Sequence, residues 1–191
     1  MKRIVLQTRD KELIQFLKDF KCATTSTLTK MFFKGSSRVA QRRLKALGEH
    51  GYIKSYQENV ITDKVHYVRK KPTQLKHSLI LSDFIGELRS HGIDIIKYKC
   101  PLKISNVIAD CFIAIRYNDK NHIFFIEVEN TKSFDCKKYE DLYYSRKYKE
   151  SFPVMPNIIV ISDRKITKSN NFKVIGIDTE FKKIDNLLKN I

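Results

Sequence analysis

The sequence predicts an α+β chain of two domains, and three observations support this. Three helical apolar patterns precede two short runs rich in aromatic and β-branched residues within the first 71 residues. A polar break with the sequence Lys-Lys-Pro-Thr-Gln follows at residues 70–74. Beyond it, helical and strand-like segments alternate in the order α-β-β-β-α-β-β, which predicts a mixed sheet flanked by helices. We therefore place the domains at residues 1–71 and 75–191.

The charge of the chain indicates a polyanionic partner. Its 191 residues include 37 Lys and Arg against 21 Asp and Glu, a formal net charge of +16. Residues 1–71 hold 17 basic and 6 acidic side chains, and the remainder holds 20 and 15, so the first domain carries most of the excess. No stretch approaches the roughly 18 apolar residues of a membrane span, and the N-terminal residues lack the apolar core of a secretory signal. We expect a cytoplasmic protein with no membrane partner.

The four cysteines show neither a C-x-x-C spacing nor a histidine spaced as a metal ligand. We interpret Cys22, Cys100, Cys111 and Cys136 as reduced thiols, several of them small core residues.

The first domain has the element order of a winged helix-turn-helix. A helix that Thr8 caps runs through Phe20, and a short second helix begins at Thr24 or Thr25. A turn at residues 34–36 leads to a third helix over Ser37–Glu49, and the two β runs at residues 52–56 and 65–68 form the wing.

The third helix is amphipathic in a way that suits a recognition helix. Ala40, Leu44 and Leu47 fall within a narrow arc, and the polar residues collect on the opposite side. Arg matches guanine edges, Gln can read adenine, and Lys or Ser can hold phosphates. A solvated charged face is the alternative, but the preceding helix, the turn and the wing favour DNA recognition. The residues predicted to bind double-stranded DNA, without any cofactor, are Ser36, Ser37, Arg38, Gln41, Arg42, Arg43, Lys45, Lys64 and Arg69.

The second domain is predicted to hold the remaining elements. They are a helix at 77–90, strands at 94–98, 109–117 and 122–129, a helix at 134–149, and strands at 157–162 and 172–177. Tyr139, Tyr143 and Tyr144 lie on the second of these helices. They are candidates for stacking near a nucleic acid, although core packing is the favoured interpretation of Tyr139 and Tyr143.

Three carboxylates are expected at one end of this sheet. Asp110 opens one strand, and Glu127 and Glu129 close the next and point to the same face. Carboxylates this close together repel one another. A divalent metal such as Mg²⁺ or Mn²⁺ relieves this repulsion and activates water against a phosphodiester. The alternative is that these carboxylates are exposed to water or paired with Lys103, Lys132 or Lys138.

These residues also carry a family resemblance. Four features resemble the replication-relaxation proteins of plasmids and mobile elements in Gram-positive bacteria. They are the run TSTLTKMFFKGSSRVAQRRLKALGEHGYI, His77 in a helix, the run Val107-Ile108-Ala109-Asp110 and the segment FFIEVEN at 124–130. The resemblance covers most of the chain. It implies a winged helix joined to a domain similar to the PD-(D/E)xK nuclease fold, with Asp110 and Glu127 as the acids of the metal site.

The chain departs from that pattern at the lysine position, which Glu129 occupies. Glutamate neither stabilises developing negative charge nor orients water as lysine does. Lys132 or Lys138 is a candidate to replace the lysine, and Glu87 is a candidate further ligand. We expect loss of nuclease activity rather than its retention, and activity, if present, would use Asp110, Glu127 and Glu129 with Mg²⁺ or Mn²⁺.

Three functions are thus open. The first is a double-stranded-DNA-binding protein of a plasmid or mobile element, acting in replication, DNA relaxation and mobilisation, or their regulation. The second is a metal-dependent endonuclease that the winged helix targets. The third is a non-catalytic platform for homodimerisation or for docking a relaxase or replication initiator.

Overall fold

The structure is a computed structural model that describes residues 4–130, 133–182 and 184–189. The chain is α+β and divides into two compact units, Met1–Gly92 and Ile93–Ile191. The division lies beyond the predicted break at residues 70–74. The helix that follows this break therefore belongs to the first unit, where it packs against the second helix.

The first unit combines helices with a small antiparallel sheet. Its helices are α1 (Thr8–Asp19), α2 (Thr25–Phe32), α3 (Ser37–Glu49) and α4 (Leu75–Ser90). Its strands are β1 (Ala23–Thr24), β2 (Lys54–Tyr56) and β3 (Val65–Tyr67), in the order β1-β3-β2. The limits of α3 are those predicted. No predicted element corresponds to β1, because two residues are too few for an alternating pattern to show.

Helix starts in this unit follow capping chemistry. The Thr24 hydroxyl accepts the N–H of Thr27 at 3.1 Å, which confirms one of the two predicted caps of α2. The cap of α1 is Gln7 rather than Thr8, because the Asp10 carboxylate accepts the Gln7 N–H at 2.7 Å. Asp10 therefore enters the structure as a capping residue of α1.

The apolar core of the first unit gathers around α1. Phe16 and Phe20 stack with ring centroids 4.4 Å apart, and Phe32 of α2 meets the Phe16 ring edge-on at 5.6 Å. Leu28 of α2 and Leu47 of α3 are both fully buried. The aromatic rings thus join α1 to α2, and α3 contributes Leu47 to the buried interior.

The second unit is built on a mixed five-stranded sheet of order β10-β9-β8-β7-β4, which confirms the prediction of a mixed sheet. Its strands are β4 (Asp94–Lys99), β7 (Cys111–Tyr117), β8 (Lys120–Val128), β9 (Asn157–Ile161) and β10 (Val174–Ile177). The pairs β4–β7 and β7–β8 are antiparallel, and β8–β9 and β9–β10 are parallel. A separate two-stranded sheet pairs β5 (Leu102–Ile104) with β6 (Val107–Ala109).

Two predicted elements of this unit are divided. The strand predicted at 109–117 is interrupted at Asp110, because β6 pairs with β5 whereas β7 pairs within the main sheet. The helix predicted at 134–149 consists of α5 (Lys137–Tyr144) and a 3-10 helix over Lys147–Glu150. The left-handed conformation of Arg146, with φ of 55°, separates them. A short α6 (Ile184–Leu188) follows the sheet.

Aromatic rings fill the core between α5 and the sheet. Tyr139 is fully buried, and its ring stacks on Phe125 with centroids 5.6 Å apart and on Phe134 at 6.0 Å. Tyr143 is partly buried and packs against this core. The core-packing interpretation of these two tyrosines is therefore confirmed.

Cys100 and Cys111 form a disulfide, so the prediction of four reduced thiols is wrong for this pair. In the antiparallel ladder of β4 and β7, Lys99 lies opposite Phe112. The next residues outward, Cys100 and Cys111, therefore lie side by side with their Cα atoms 4.2 Å apart. Cys22 and Cys136 are buried free thiols, as predicted.

Candidate nucleic-acid interface and acidic cluster

Helix α3 separates its apolar and polar side chains onto two faces. Ala40, Leu44 and Leu47 are 0%, 3% and 0% exposed. The opposite side, which we call the polar face of α3, consists of Arg38, Gln41, Arg42 and Lys45, and all four are exposed. The polar face thus lies open to solvent while the aliphatic face anchors the helix.

The start of α3 follows a tight turn. Gly35, with φ of 79°, adopts the left-handed conformation that glycine takes at low cost. Its N–H donates to the carbonyl of Thr29 at 3.3 Å, and the N–H of Ser36 donates to Phe33 at 2.9 Å. Ser36 and Ser37 are both exposed at the beginning of the helix. The structure therefore places the two serines at the same end of α3 as Arg38.

Arg43 does not join the polar face. Its guanidinium forms an ion pair with Asp10, which is 0% exposed, and its Nε donates to Asp10 Oδ1 at 2.9 Å. It also donates to the carbonyl of Val5 at 2.9 Å. Burial acts to raise the pKa of Asp10, but the hydrogen bonds from Arg43 and from the Gln7 N–H outweigh it and lower that pKa.

The sequence contained a signal for this placement. Arg43 lies three residues after Ala40 and four before Leu47, so it belongs to the buried stripe of α3. An arginine in a buried stripe requires an acidic partner. Asp10 is the only acid in the first turn of α1.

The hairpin of β2 and β3 is attached to the start of α2. The carbonyl of Lys64 accepts the Thr25 N–H at 2.9 Å, and the Asp63 carboxylate accepts the Ser26 N–H at 2.8 Å. Lys64 is nevertheless exposed, as is Arg69 beyond the second strand. Both predicted wing cations are therefore accessible to solvent.

A groove of about 640 Å³ separates α3 from this hairpin. Lys45 of the polar face and Lys64 of the hairpin both line it, together with the acids Glu49 and Asp63. Lys45 lies 3.9 Å from Glu49 one turn further along the helix. The other residues that line it are Thr25, Gln41, Leu44, Gly48, Ile53, Ser55, Gln57, Thr62 and His66.

His66 is a buried residue of β3. It is 4% exposed, and its Nε2 lies 3.0 Å from the Thr25 hydroxyl. That hydroxyl donates to the carbonyl of Lys64 at 3.2 Å, so it accepts from His66 Nε2–H. Burial, reinforced by the charge of Lys64, lowers the pKa of His66 to about 4. The ring is therefore neutral at pH 7.

In the second unit, Asp110 and Glu127 lie together with two residues of α5, and we call this group the acidic cluster. Asp110 accepts the N–H of Val128, next to Glu127, at 2.8 Å. Glu127 accepts from Lys138 Nζ at 2.7 Å and from the Tyr139 hydroxyl. Burial raises the pKa of Glu127 and the charge of Asp110 adds to the rise, whereas the bonds from Lys138 and Tyr139 oppose it.

Glu129, the third predicted acid, is engaged elsewhere. Its two carboxylate oxygens accept from the Phe134 N–H and from the Ser162 hydroxyl. Glu87, the suggested additional ligand, belongs to the first unit, where it pairs with Lys30 at 2.5 Å. Of the candidate lysines, Lys138 is in the acidic cluster, Lys103 is exposed, and Lys132 lies outside the described residues.

No family model, curated protein or solved structure matches this chain in comparisons with known proteins. Among residues 4–130, 133–182 and 184–189, no group of three or more His, Cys, Asp or Glu side chains is arranged to hold a metal ion. In the same part of the chain, no helix combines the length and the apolar composition of a membrane span.

We predict that Arg43→Ala lowers the free energy of unfolding of the protein in the absence of any ligand. Removing the guanidinium leaves the Asp10 carboxylate buried without its counter-charge, which costs about 3–5 kcal/mol. Urea unfolding of the full chain measures this decrease. Arg42→Ala, one position away and exposed, is the matched control and should change the free energy of unfolding by less than about 0.5 kcal/mol. Equal effects from the two variants would contradict the assignment of Arg43 to the core.

We predict that His66 makes the protein less stable as the pH falls from 7 to 4.5. The unfolded imidazole takes up a proton below a pKa of about 6.5, whereas the folded one resists it down to about 4. The free energy of unfolding should therefore fall by roughly 2–3 kcal/mol more than in His66→Gln, which keeps a hydrogen-bonding side chain but does not titrate. Urea unfolding at both pH values measures the difference, and parallel pH profiles for the two proteins would contradict it.

Proposed function

We propose that this chain binds double-stranded DNA and that its first unit acts as a winged helix-turn-helix. In this proposal α3 enters the major groove, and the β2–β3 hairpin is the wing. The resemblance described above supplies the biological setting, a plasmid or mobile element in which the protein serves replication, DNA relaxation and mobilisation, or the regulation of these processes.

The observation that carries the proposal is the exposure of the polar face of α3. Helix α3 offers hydrogen-bond donors along one exposed side. Its arginines supply forked guanidinium donors, and the other two residues supply an amide and an ammonium group; the four residues are Arg38, Gln41, Arg42 and Lys45. Guanine and adenine present acceptors for such donors in the major groove, and phosphates take the remaining cations. Burial of the aliphatic stripe fixes the rotation of α3, so the donors are held in one direction.

The hairpin supports the same proposal. Lys64 is exposed immediately before β3, and its carbonyl accepts the Thr25 N–H of α2, so its position is fixed relative to the helices. The groove between α3 and the hairpin has a lysine on each side, Lys45 and Lys64. A sugar-phosphate strand that passes between a major-groove helix and a minor-groove wing requires cations at such places.

We predict that replacing Arg38, Arg42 and Lys45 together by Ala abolishes tight binding to duplex DNA. Arg42→Ala alone should cost about 1–3 kcal/mol if this side chain reads a base. The slope of log affinity against log salt should become shallower by about one for each phosphate that the variant no longer neutralises. Fluorescence anisotropy with duplexes selected from a random pool, at several salt concentrations, measures both quantities.

A triple variant of the second unit, Lys97→Ala, Lys120→Ala and Lys165→Ala, is the control, because it removes the same charge from exposed positions. It should retain most of the affinity. Unchanged affinity in the α3 variant, or an equal decrease in both variants, would contradict the proposed interface.

A metal-dependent endonuclease is the second candidate, and the position of Lys138 favours it. The resemblance implies two acids and a lysine, and Asp110, Glu127 and Lys138 bring these chemical groups into one cluster although Glu129 replaces the usual lysine. The donor set therefore fits a carboxylate-bound Mg²⁺ or Mn²⁺ with a nearby lysine. Such an ion, when bound, would polarise a phosphate and activate water. In this candidate Asp110 and Glu127 bind the ion, and Lys138 stabilises negative charge.

The endonuclease candidate predicts nicking of supercoiled plasmid by the protein in the presence of Mg²⁺ or Mn²⁺. Asp110→Ala should abolish the nicking because it removes a carboxylate ligand, and Lys138→Met should also abolish it because it removes the cation. Glu180→Ala, an exposed acid remote in sequence, is the control. Gel electrophoresis of the plasmid reports the result. Nicking that survives Asp110→Ala, or no nicking by the unaltered protein, would rule out this candidate.

A further inference from the structure

The end of α5 carries an exposed aromatic ring that the proposals above do not use. Tyr144 is 68% exposed, whereas Tyr139 on the same helix is fully buried. Its hydroxyl accepts a hydrogen bond from the Asn171 side chain at 2.9 Å, and its ring meets that of Tyr143 edge-on at 5.6 Å. Two contacts therefore hold this ring in place while it remains open to solvent.

The turn that follows the ring is cationic and firmly packed. Arg146, Lys147 and Lys149 are all exposed around the 3-10 helix, and Tyr148 between them is buried. The Tyr148 ring stacks on that of Tyr143 with centroids 6.3 Å apart and planes inclined by 11°. The cations are thus attached to a backbone that a buried tyrosine fixes next to Tyr144.

A second segment adds to the same surface. Ser169 donates to Glu140 of α5 at 2.8 Å, and the Asn171 bond to Tyr144 holds this segment against the helix. Lys168, next to Ser169, is exposed. We call Tyr144, Arg146, Lys147, Lys149 and Lys168 the Tyr144 patch. Its four cations outnumber the two exposed acids on α5 and the 3-10 helix, Asp141 and Glu150.

We propose that the Tyr144 patch binds single-stranded nucleic acid. An exposed, immobilised aromatic ring provides a face on which an unpaired base can stack, and the surrounding cations can follow the phosphates. A paired base in a duplex does not offer its face to such a ring, so the ring distinguishes single strands from duplexes. This binding is separate from the duplex binding proposed for the first unit and does not depend on it.

The test measures anisotropy of a fluorescent fifteen-nucleotide oligothymidine and, in parallel, of oligouridine with the full-length protein at low salt. Tyr144→Leu should weaken binding about 5- to 100-fold, because one base can no longer stack. Tyr144→Phe, which keeps the ring, should bind nearly as well as the parent. Lys147→Gln with Lys149→Gln should weaken binding and reduce its salt dependence. The two oligomers show whether the patch prefers DNA or RNA.

The interface variants separate this inference from the proposed function. The α3 variant with Arg38, Arg42 and Lys45 replaced by Ala should retain single-strand binding, and Tyr144→Leu should retain duplex binding. Thermal unfolding checks that Tyr144→Leu is folded, and Tyr144→Phe controls for the removal of the hydroxyl. The inference is overturned if the parent does not bind the oligomers, if Tyr144→Leu binds as the parent does, or if the α3 variant no longer binds single strands.

Discussion

The ion pair between Arg43 and Asp10 is the interaction on which the first unit depends. It joins the middle of α3 to the first turn of α1, and Asp10 also caps α1 through the Gln7 N–H. A buried carboxylate without a charge partner would be costly, so this pair strongly favours one rotation of α3. That rotation places Ala40, Leu44 and Leu47 in the core. The exposure of the polar face therefore depends on a residue that is not part of it.

The hairpin is positioned by the same need to satisfy polar groups. The first N–H groups of a helix have no partner within it, and α2 satisfies two of them with Lys64 and Asp63 of the hairpin. A third is satisfied by its own cap, Thr24. The hydrogen bonds that Lys64 and Asp63 accept therefore both cap α2 and hold the hairpin in place. A change at Asp63 would disturb both the start of α2 and the wall of the groove beside α3.

The second unit contains a different electrostatic constraint. Glu127 lies at the end of β8 close to Asp110, where two carboxylates repel one another in a partly buried site. Lys138 and Tyr139 of α5 compensate this repulsion by donating to Glu127. The same helix turns its last residue, Tyr144, outward. One short helix thus neutralises the acidic cluster on one side and supports an exposed aromatic and cationic surface on the other.

The sequence by itself determined the elements whose signals are local. Periodicity and capping predicted the limits of α3, the start of α2 and the mixed order of strands and helices, because these follow from residues a few positions apart. Only the tertiary structure decided which partners engage the charged residues of those elements. Arg43 was predicted to bind DNA, but it pairs with Asp10. Glu129 was predicted to join the other two carboxylates, but it accepts hydrogen bonds from Ser162 and from the Phe134 N–H. These partners lie on other elements, and the Cys100–Cys111 disulfide likewise depends on the register of two strands. The place of Arg43 in the apolar stripe of α3 indicates its burial. Periodicity does not identify a partner that lies far away in the sequence, so these pairings become recognisable only in the folded structure.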